Sequence, residues 1–268
     1  FRSNLTATAS LNSDVNITLN GDTNIGNDIT ASADDSTLNL TITNASGSAN
    51  NITIDANSNA DTTVNVGGTI GLTGTLHVGA NDGTATALFA ELTGASGDID
   101  VNASNDATVS LDIATLSGDI TDFTVAADNS TIDVTTSNNG SDDIVNITNL
   151  TATASLGSDV AVSLDGNTNF LNDSEDFADI LASADDSTLN LTITNASGSA
   201  NNITIDANNN ADTTVNVGGT IGLTGTLHVG ANDGTATALF TELTSAYGNI
   251  DVNASNDATV SLDIATLN

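Results

Sequence analysis

The sequence predicts an all-β chain that winds into a parallel β-helix (β-solenoid), with about 24 residues in each coil. Three observations lead to this fold class. Residues 31–116 recur as residues 182–267, with five differences between the two copies. Within each copy, short runs alternate an apolar residue with a small polar one, which is the pattern of a strand with one buried face. These runs recur at a nearly constant spacing, as expected of a solenoid built from stacked coils.

The spacing of these runs defines the coils and the larger repeat. We take the first apolar residue of each run as the start of a coil, which gives Val15, Leu38, Val64, Ala85, Val109, Ile132 and Val160. The interval from Val15 to Val160 equals the offset at which the segment from Leu5 to Leu11 recurs, as residues 150–156. We therefore expect about six coils in a first module, residues 1–149, and an incomplete second module, residues 150–268, continuous with the first.

Each coil has room for two or three short strands, separated by corners rich in Gly, Asn, Asp and Ser. In one coil, for example, we expect strands at residues 64–66, 70–72 and 76–78. Proline is absent, which fits a fold in which every inner strand donates backbone hydrogen bonds to its neighbours. Only residues 89–92 and 174–177 suggest a short helix.

A string of β-sandwich domains of the immunoglobulin type is the main alternative, because such domains also consist of short, regularly spaced strands. Their cores normally contain several large aromatic residues. This chain has no Trp and one Tyr, and aromatic residues make up 3% of it. Val, Ile, Leu, Ala and Thr suit the narrow interior of a β-helix, so we favour that fold.

The charge of the chain restricts its partners. Thirty-four Asp and Glu residues oppose a single Arg and no Lys, which gives a formal net charge of -33 at pH 7. We expect no nucleic-acid partner, because neutralising phosphates requires Lys and Arg. We also expect no membrane insertion, because no apolar run is long enough to span a bilayer. Cations, glycans and other copies of the chain remain as partners, and the absence of cysteine excludes disulfides and thiolate metal sites.

Acidic residues at the expected corners are the candidate metal ligands. Calcium prefers six to eight oxygen ligands from carboxylates, amides and backbone carbonyls. Repulsion between stacked carboxylates would also need an external cation, since the chain has no lysine. Asp and Asn are common in corners simply because they tolerate turn geometry, and neither an EF-hand loop nor the glycine-rich nonapeptide of calcium-binding β-rolls is present. The candidate calcium ligands are Asp34, Asp35, Asp142, Asp143, Asp185 and Asp186.

Two histidines, His77 and His228, occupy the same position in the two copies of the motif Thr-Leu-His-Val-Gly. Each is expected at an outward position of a strand, and no partner residue recurs near it in sequence. We interpret both as exposed side chains without a metal or catalytic role.

Paired carboxylates could in principle hydrolyse glycosidic bonds, but the cationic and aromatic residues that usually bind a polysaccharide are almost absent. The sequence therefore predicts a protein that is not an enzyme.

The runs Thr-Leu-Asn-Leu-Thr-Ile, Asp-Ile-Asp-Val-Asn-Ala and Thr-Val-Ser-Leu-Asp-Ile, with almost no Lys, Cys or Pro, are similar to sequences in one class of protein. The chain resembles the β-helical parts of bacterial surface-layer (S-layer) proteins and of large RTX-type adhesins. The resemblance implies secretion, calcium-dependent assembly and an architectural role at the cell surface. We therefore expect an extracellular structural protein that assembles with copies of itself into a lattice or filament, aided by divalent cations. The alternative is the stalk of a secreted adhesin that binds a receptor or glycan through another domain.

Overall fold

The computed structural model describes residues 4–138, 144–171, 179–244 and 248–268, and all regular structure within them is β-strand. Accordingly, this part of the chain contains no helix with the length and hydropathy needed to cross a bilayer. The strands, in chain order, are β1 (Leu5–Ser10), β2 (Asp14–Ile25), β3 (Ile29–Asp34), β4 (Thr37–Ala49), β5 (Ile52–Asn57), β6 (Asp61–Leu72), β7 (Leu76–Asn81), β8 (Thr84–Ser104), β9 (Thr108–Ile113), β10 (Leu116–Asp128), β11 (Thr131–Ser137), β12 (Val145–Ser155), β13 (Asp159–Phe170), β14 (Asp179–Asp185), β15 (Thr188–Ala200), β16 (Asn202–Asn208), β17 (Asp212–Leu223), β18 (Leu227–Asn232), β19 (Thr235–Thr244), β20 (Ile250–Ser255) and β21 (Thr259–Leu267).

These strands form two main stacks in which every neighbouring pair is parallel. The first stack consists of β1, β3, β5, β7, the end of β8, β10, β12, β14, β16, β18 and β20. The second consists of β2, β4, β6, the beginning of β8, β9, β11, β13, β15, β17, β19 and β21. The longer strands continue onto a third face, where Ile70 pairs with Leu92 and Leu92 with Leu116. The parallel β-helix is confirmed, and the described residues contain none of the antiparallel pairs that β-sandwich domains require.

Alternate residues of each strand point inward, so the same position in successive coils forms an apolar row. One such row contains Ile29, Ile52, Leu76, Ile99 and Phe123, and each of these side chains is 0% exposed. Burying a side chain of this size contributes about 1.5–3 kcal/mol. The interior is therefore held together by rows that run from coil to coil, and a shift of one residue within a strand would turn a whole section of the row outward.

One member of the second apolar row differs from the sequence prediction. Leu38 pairs with Thr62, and Thr62 pairs with Ala85, so the row passes through Thr62 and not through Val64. Thr62 is only 1% exposed. Its hydroxyl donates a hydrogen bond to the backbone oxygen of Asp55 at 2.6 Å, which removes the cost of burying a polar group. The coil start assigned to Val64 was therefore wrong, and with Thr62 in its place the coils on either side become nearly equal in length.

The corners between the two stacks alternate between three and two residues along the described coils. Three-residue corners begin at residues 11, 58, 105, 156, 209 and 256, and two-residue corners begin at residues 35, 82, 129, 186 and 233. Each corner contains a residue with positive φ, which for residues other than Gly lies between 47° and 63°, a left-handed conformation that Asn and Asp tolerate best. This alternation explains why most neighbouring coils differ slightly in length. Two longer coils include the stretches 139–143 and 172–178, which lie outside the described residues.

Two further expectations bear on the organisation of the chain. The suggested helix at residues 89–92 is wrong, because this segment lies within β8, where Phe89 and Leu92 point into the apolar interior. The second suggested helix, at residues 174–177, lies outside the described residues. The division at residues 149 and 150 falls inside β12, which pairs with β10 on one side and β14 on the other. The two modules stay a prediction from the repeat, and the coils run through their boundary without a break in strand pairing.

Candidate functional site

Carboxylates on the outer faces of the paired strands rarely stack on one another; the exception is Asp98 and Asp122 at the irregularity between β8 and β10, where the backbone N–H of Asp122 donates to Asp98 Oδ1 at 3.3 Å. Across the described strand pairs, every Asp or Glu faces a neutral residue or a histidine on the neighbouring coil. Asp61, for example, lies between Thr37 and Thr84. In these rows like charges are therefore at least two coils apart, about 10 Å, which is comparable to the Debye length at physiological salt. Within the paired strands, the expected repulsion between stacked carboxylates is confined to Asp98 and Asp122.

The candidate calcium ligands lie at two distant corners. Asp34 ends β3 and Asp35 forms the corner that follows, where the side-chain amide of Asn12 donates to Asp35 Oδ2 at 3.1 Å. Asp185 and Asp186 occupy the equivalent corner after β14, and the side-chain amide of Asn209 donates to Asp185 Oδ1. These two pairs are six coils apart, about 29 Å, so they do not converge on one site.

The other two candidates, Asp142 and Asp143, lie outside the described residues. Within the part of the chain that the structure describes, no group of three or more His, Cys, Asp or Glu residues is arranged to hold a metal ion. Calcium binding through the six acidic residues therefore stays a prediction.

The structure does bring together a charged cluster that was not foreseen from the sequence. His77 lies on β7, with Asp55 on the preceding coil and Asp100 on the following one. Its Nε2 is 3.2 Å from Asp55 Oδ1, and its Nδ1 is 2.9 Å from Asp100 Oδ2. The imidazole is 30% exposed, so the pair of contacts forms in a partly dehydrated environment. One side chain thus connects three successive coils.

A glycine makes room for this contact. Gly79 pairs with Asp55 on the preceding coil and follows His77 on the same face of β7. A Cβ atom at Gly79 would lie 2.6 Å from His77 Nε2 and 3.1 Å from Asp55 Oδ1, so only glycine lets the ring lie across the strand towards Asp55. The side-chain amide of Asn102 donates to Asp100 Oδ1 at 2.6 Å and holds that carboxylate in place. The cluster is therefore built from five residues on three coils.

The two carboxylates strongly favour the protonated form of the imidazole. The hydrogen bond with Asp100 and then that with Asp55 raise the pKa of His77 to about 9, against a smaller opposing effect of burial. The same hydrogen bond with His77 lowers the pKa of Asp100. At neutral pH the cluster thus contains an imidazolium between two carboxylates. Since Arg2 lies outside the described residues, the two histidines are the only basic side chains within them.

The second copy of the motif forms the same cluster. His228 Nε2 is 3.1 Å from Asp206 Oδ1, and Nδ1 is 3.2 Å from Asp251 Oδ2. Gly230 again leaves the space for the ring, and a Cβ there would lie 2.6 Å from Nε2. The two clusters differ in the exposure of the carboxylate on the following coil: the side chain of Asp251 is 52% exposed, against 35% for Asp100. β10 covers the coil of Asp100, whereas no described strand covers β20 on its far side.

Both histidines lie at outward positions of their strands, as expected, but each has two carboxylate partners that are distant from it in sequence. The partners of each histidine lie one coil before it and one coil after it. The coil spacing was the signal that could have found them: one coil forward from His77 leads to Asp100, and one coil back leads to Thr53, which lies two residues before Asp55 on the same face of β5. In both clusters each ring nitrogen contacts a carboxylate, so the arrangement suits an ion pair that links coils.

A shallow groove of about 520 Å³ lies elsewhere on the surface, beside the edge of β12 and β14. It is lined by Asp122, Asn149, Asp179 and Asn202 among others. Each carboxylate is already engaged by the amide one coil on: Asn149 donates to Asp122 Oδ1 at 2.8 Å, and Asn202 donates to Asp179 Oδ1. The groove is thus a continuation of the polar ladders along the rod.

Comparison of the chain with protein-family models, with curated proteins and with solved structures finds no match. Within the described residues, the features that bear on function are the stacked coils and the two histidine clusters.

Proposed function

We propose that this chain is a non-enzymatic structural protein of the cell surface or extracellular space, whose coils stack on those of further copies to build a filament or lattice. The observation that carries the proposal is the stacking of similar parallel coils, in which an apolar position is buried where a further coil lies on it. Ile250, Val252 and Leu267 are 40%, 48% and 54% exposed. Their counterparts in the first copy of the repeat, Ile99, Val101 and Leu116, are each 0% exposed. The same apolar positions are thus buried in one copy and open to solvent in the other.

The first copy indicates what kind of surface covers these residues. There, Ile99 and Val101 pair with Phe123 and Val125 of β10, a parallel strand of the next coil. The opposite end of the rod has an internal counterpart too: β1 shares the sequence Leu-Thr-Ala-Thr-Ala-Ser with the end of β12, which pairs with β10. Coils of this repeat therefore accept one another in parallel register inside the chain. Applied between copies, the same register would place the coil of β1 and β2 on β20 and β21.

The residues that would meet in such a joint are compatible. Leu5 would lie on Ile250, in the same row as the other buried aliphatic side chains. Asp251 would face Thr6, a neutral residue, as most acids of the paired strands do. Both corners at the joint have three residues, unlike neighbouring corners inside the chain, so we expect the joint to be weaker than an internal coil contact and association to depend on concentration.

Net charge opposes the association of copies, since each copy has a formal charge of -33. Divalent cations would reduce this repulsion, and the acidic corners at Asp34 and Asp35 or at Asp185 and Asp186 are the proposed contact points for calcium. Lysine and arginine are too scarce for a nucleic acid or an anionic membrane to replace the second copy. Neutral glycans remain compatible with the exposed Thr, Asn and Ser rows.

Sedimentation velocity over a range of concentrations, with electron microscopy of the same samples, tests the proposal. We expect concentration-dependent rods whose lengths are multiples of the single chain. Val252→Asn should suppress association, because it places an amide in the apolar edge of the joint. Ser261→Asn is the matched control, because Ser261 lies on the same coil but points outward. A wild-type chain that stays monomeric in the presence of calcium would contradict the proposal.

A second candidate function, the stalk of a secreted adhesin, is favoured by the shape of the described coils. Eleven parallel strands stacked at about 4.8 Å form a rod about 48 Å long, with continuous strand pairing along it. Such a rod would serve as a stiff spacer for a binding domain. Single rods that do not associate, yet remain folded, would favour this function over the first.

A further inference from the structure

We propose that the Asp82-Gly83 and Asp233-Gly234 corners are sites of covalent modification, at which the aspartate closes onto the next backbone nitrogen and reopens as isoaspartate. Both corners lie within the stack, between strands that are paired on either side. The rearrangement takes place within a single chain and goes beyond the proposed function, so either can fail without the other.

The two-residue corners form a series in which the first residue is held alike and its successor differs. In each corner the first residue is exposed and left-handed, with φ between 47° and 58°. The second residue is a half-buried Gly in two corners and a buried Ser in the others. The corners are Asp35-Ser36, Asp82-Gly83, Asn129-Ser130, Asp186-Ser187 and Asp233-Gly234.

The nitrogen that must attack the carboxyl group is unpaired in the Asp-Gly corners. Within the described part of the chain, the backbone N–H of Gly83 donates to no acceptor. The equivalent N–H of Ser130 donates to Ser158 Oγ on the following coil at 3.1 Å. One coil after Gly83 the chain has Ala107, which offers no hydroxyl. Ala258 occupies the same position one coil after Gly234, so the second copy repeats the arrangement.

Glycine also leaves room for the ring that forms. The ring joins the aspartate Cγ to the next nitrogen, and a side chain on the next residue crowds it. The matched corner is Asp186-Ser187: the N–H of Ser187 is unpaired among the described residues as well, but the serine side chain is present and 8% exposed. We therefore expect the Asp-Gly corners to react and the Asp-Ser corners to react slowly.

The carboxyl group of Asp82 is weakly held in its present position. Among the described residues it has one side-chain partner, the amide of Asn59, which lies 3.5 Å from Oδ2 and is long for a hydrogen bond. A groove of about 230 Å³, lined in part by Asp82, Gly83 and Asp106, gives water access to the corner. The side chain can thus turn towards the nitrogen, and water can reach the product.

The reaction needs no partner other than water. The nitrogen of Gly83 attacks Cγ of Asp82, and the new C–N bond closes a succinimide ring. The proton of that nitrogen and the hydroxyl of the carboxyl group leave as water. A second water then opens the ring at one of its two carbonyls. Opening at the former backbone carbonyl routes the chain through Cβ and Cγ, which is isoaspartate, whereas opening at Cγ restores Asp82.

Isoaspartate changes the corner in two ways. The backbone becomes one atom longer, and the former carbonyl of Asp82 becomes a free carboxylate. The backbone N–H of Asn59 donates to that carbonyl and loses this contact. Because the pairing of coils depends on corner length, we expect β7 and the beginning of β8 to loosen after the rearrangement.

Incubating the folded full chain in calcium-free, mildly acidic water labelled with heavy oxygen, followed by peptide mapping with mass spectrometry, tests the proposal. The protonated carboxyl group is the reacting form, since it expels water and not hydroxide. Isoaspartate should form about tenfold faster in the two Asp-Gly corners than in the two Asp-Ser corners, a difference of about 1.4 kcal/mol in the barrier. It should contain heavy oxygen, and peptides that extend to Ala90 or Thr241 distinguish the two copies.

The variant Ala107→Ser tests the role of the unpaired nitrogen. Its hydroxyl would accept from the N–H of Gly83, as Ser158 Oγ accepts from Ser130. We expect the variant to slow the reaction of Asp82 about tenfold and to leave that of Asp233 unchanged, because Ala258 is unaltered.

Equal rates in all four aspartate corners of the wild type would overturn the proposal, and so would isoaspartate that forms in the urea-unfolded chain but not in the folded one. These two comparisons need no variant. Equal slowing of both Asp-Gly corners in Ala107→Ser, or of neither, would overturn the role assigned to the unpaired nitrogen.

Discussion

Replacing His77 with Gln should remove a stabilising contribution that depends on pH in a defined direction. The pKa of His77 is raised from 6.5 to about 9 by its two carboxylates, Asp100 and then Asp55. A shift of this size corresponds to about 3 kcal/mol in full. The imidazole is 30% exposed, so solvent screening reduces the contribution to about 1–2 kcal/mol.

The sign follows from the raised pKa. The folded state holds the proton more tightly than the unfolded state, so the full contribution is present below pH 6.5 and is lost as the pH rises through about 9. The composition of the chain leaves few other groups that would contribute to the pH dependence of stability in this range. The chain has no Lys and no Cys, one Arg and one Tyr, so few other side chains titrate between pH 6 and 10.

Urea unfolding of wild type and His77→Gln at constant ionic strength is the assay. The difference in the free energy of unfolding should be about 1–2 kcal/mol at pH 6 and close to zero at pH 10. His228→Gln is the companion variant, because it leaves a single histidine whose imidazole signals can be titrated by nuclear magnetic resonance. A midpoint at or below 6.5 in that titration, or a stability difference that does not change with pH, would refute the reasoning.

Three further predictions concern the interior, the cations and the insertion. Thr62→Val should lower the free energy of unfolding, measured in urea, by about 1 kcal/mol, because the hydrogen bond from the Thr62 hydroxyl to the Asp55 carbonyl is lost. Thr213→Val should lower it by the same amount. An unchanged free energy of unfolding in either variant would contradict the register. Chelation with EDTA should weaken the association of copies without changing the circular dichroism spectrum, whereas unchanged association would remove divalent cations from the proposal. Deleting six residues within 171–178 should leave the thermal midpoint unchanged, because the matching coil of the first copy closes without them; unfolding would show that the insertion is structural.

Period-two alternation predicted most of the strands and their inward side chains. Leu38, Val109 and Ile132 lie in one buried row, as expected, because a side chain on a strand can only point to one face or the other. The prediction was wrong at Thr62, since a threonine was not expected in an apolar row. Its burial depends on the Asp55 carbonyl, which lies beyond the corner on the other face of the rod, and local pattern contains no information about that contact.

The histidine clusters were missed for a similar reason. His77, Asp55 and Asp100 look unrelated in sequence because a full coil separates the imidazole from each carboxylate. Their proximity depends on the number of residues in each intervening corner. A corner longer or shorter by one residue would bring a different side chain beside the imidazole, so the pairing could be recognised only with the register in hand.

Local chemistry was sufficient to predict a solenoid of short parallel strands, a slim aliphatic interior and a strongly acidic surface, because alternation and composition act within each strand. Contacts between coils are of another kind. The neighbours of the carboxylates and the two clusters in which a histidine contacts two Asp side chains became apparent only after the coils were stacked. The physical reason is that the register between any two coils depends on the lengths of all the corners between them. The alternation of two- and three-residue corners depends in turn on how successive coils pack.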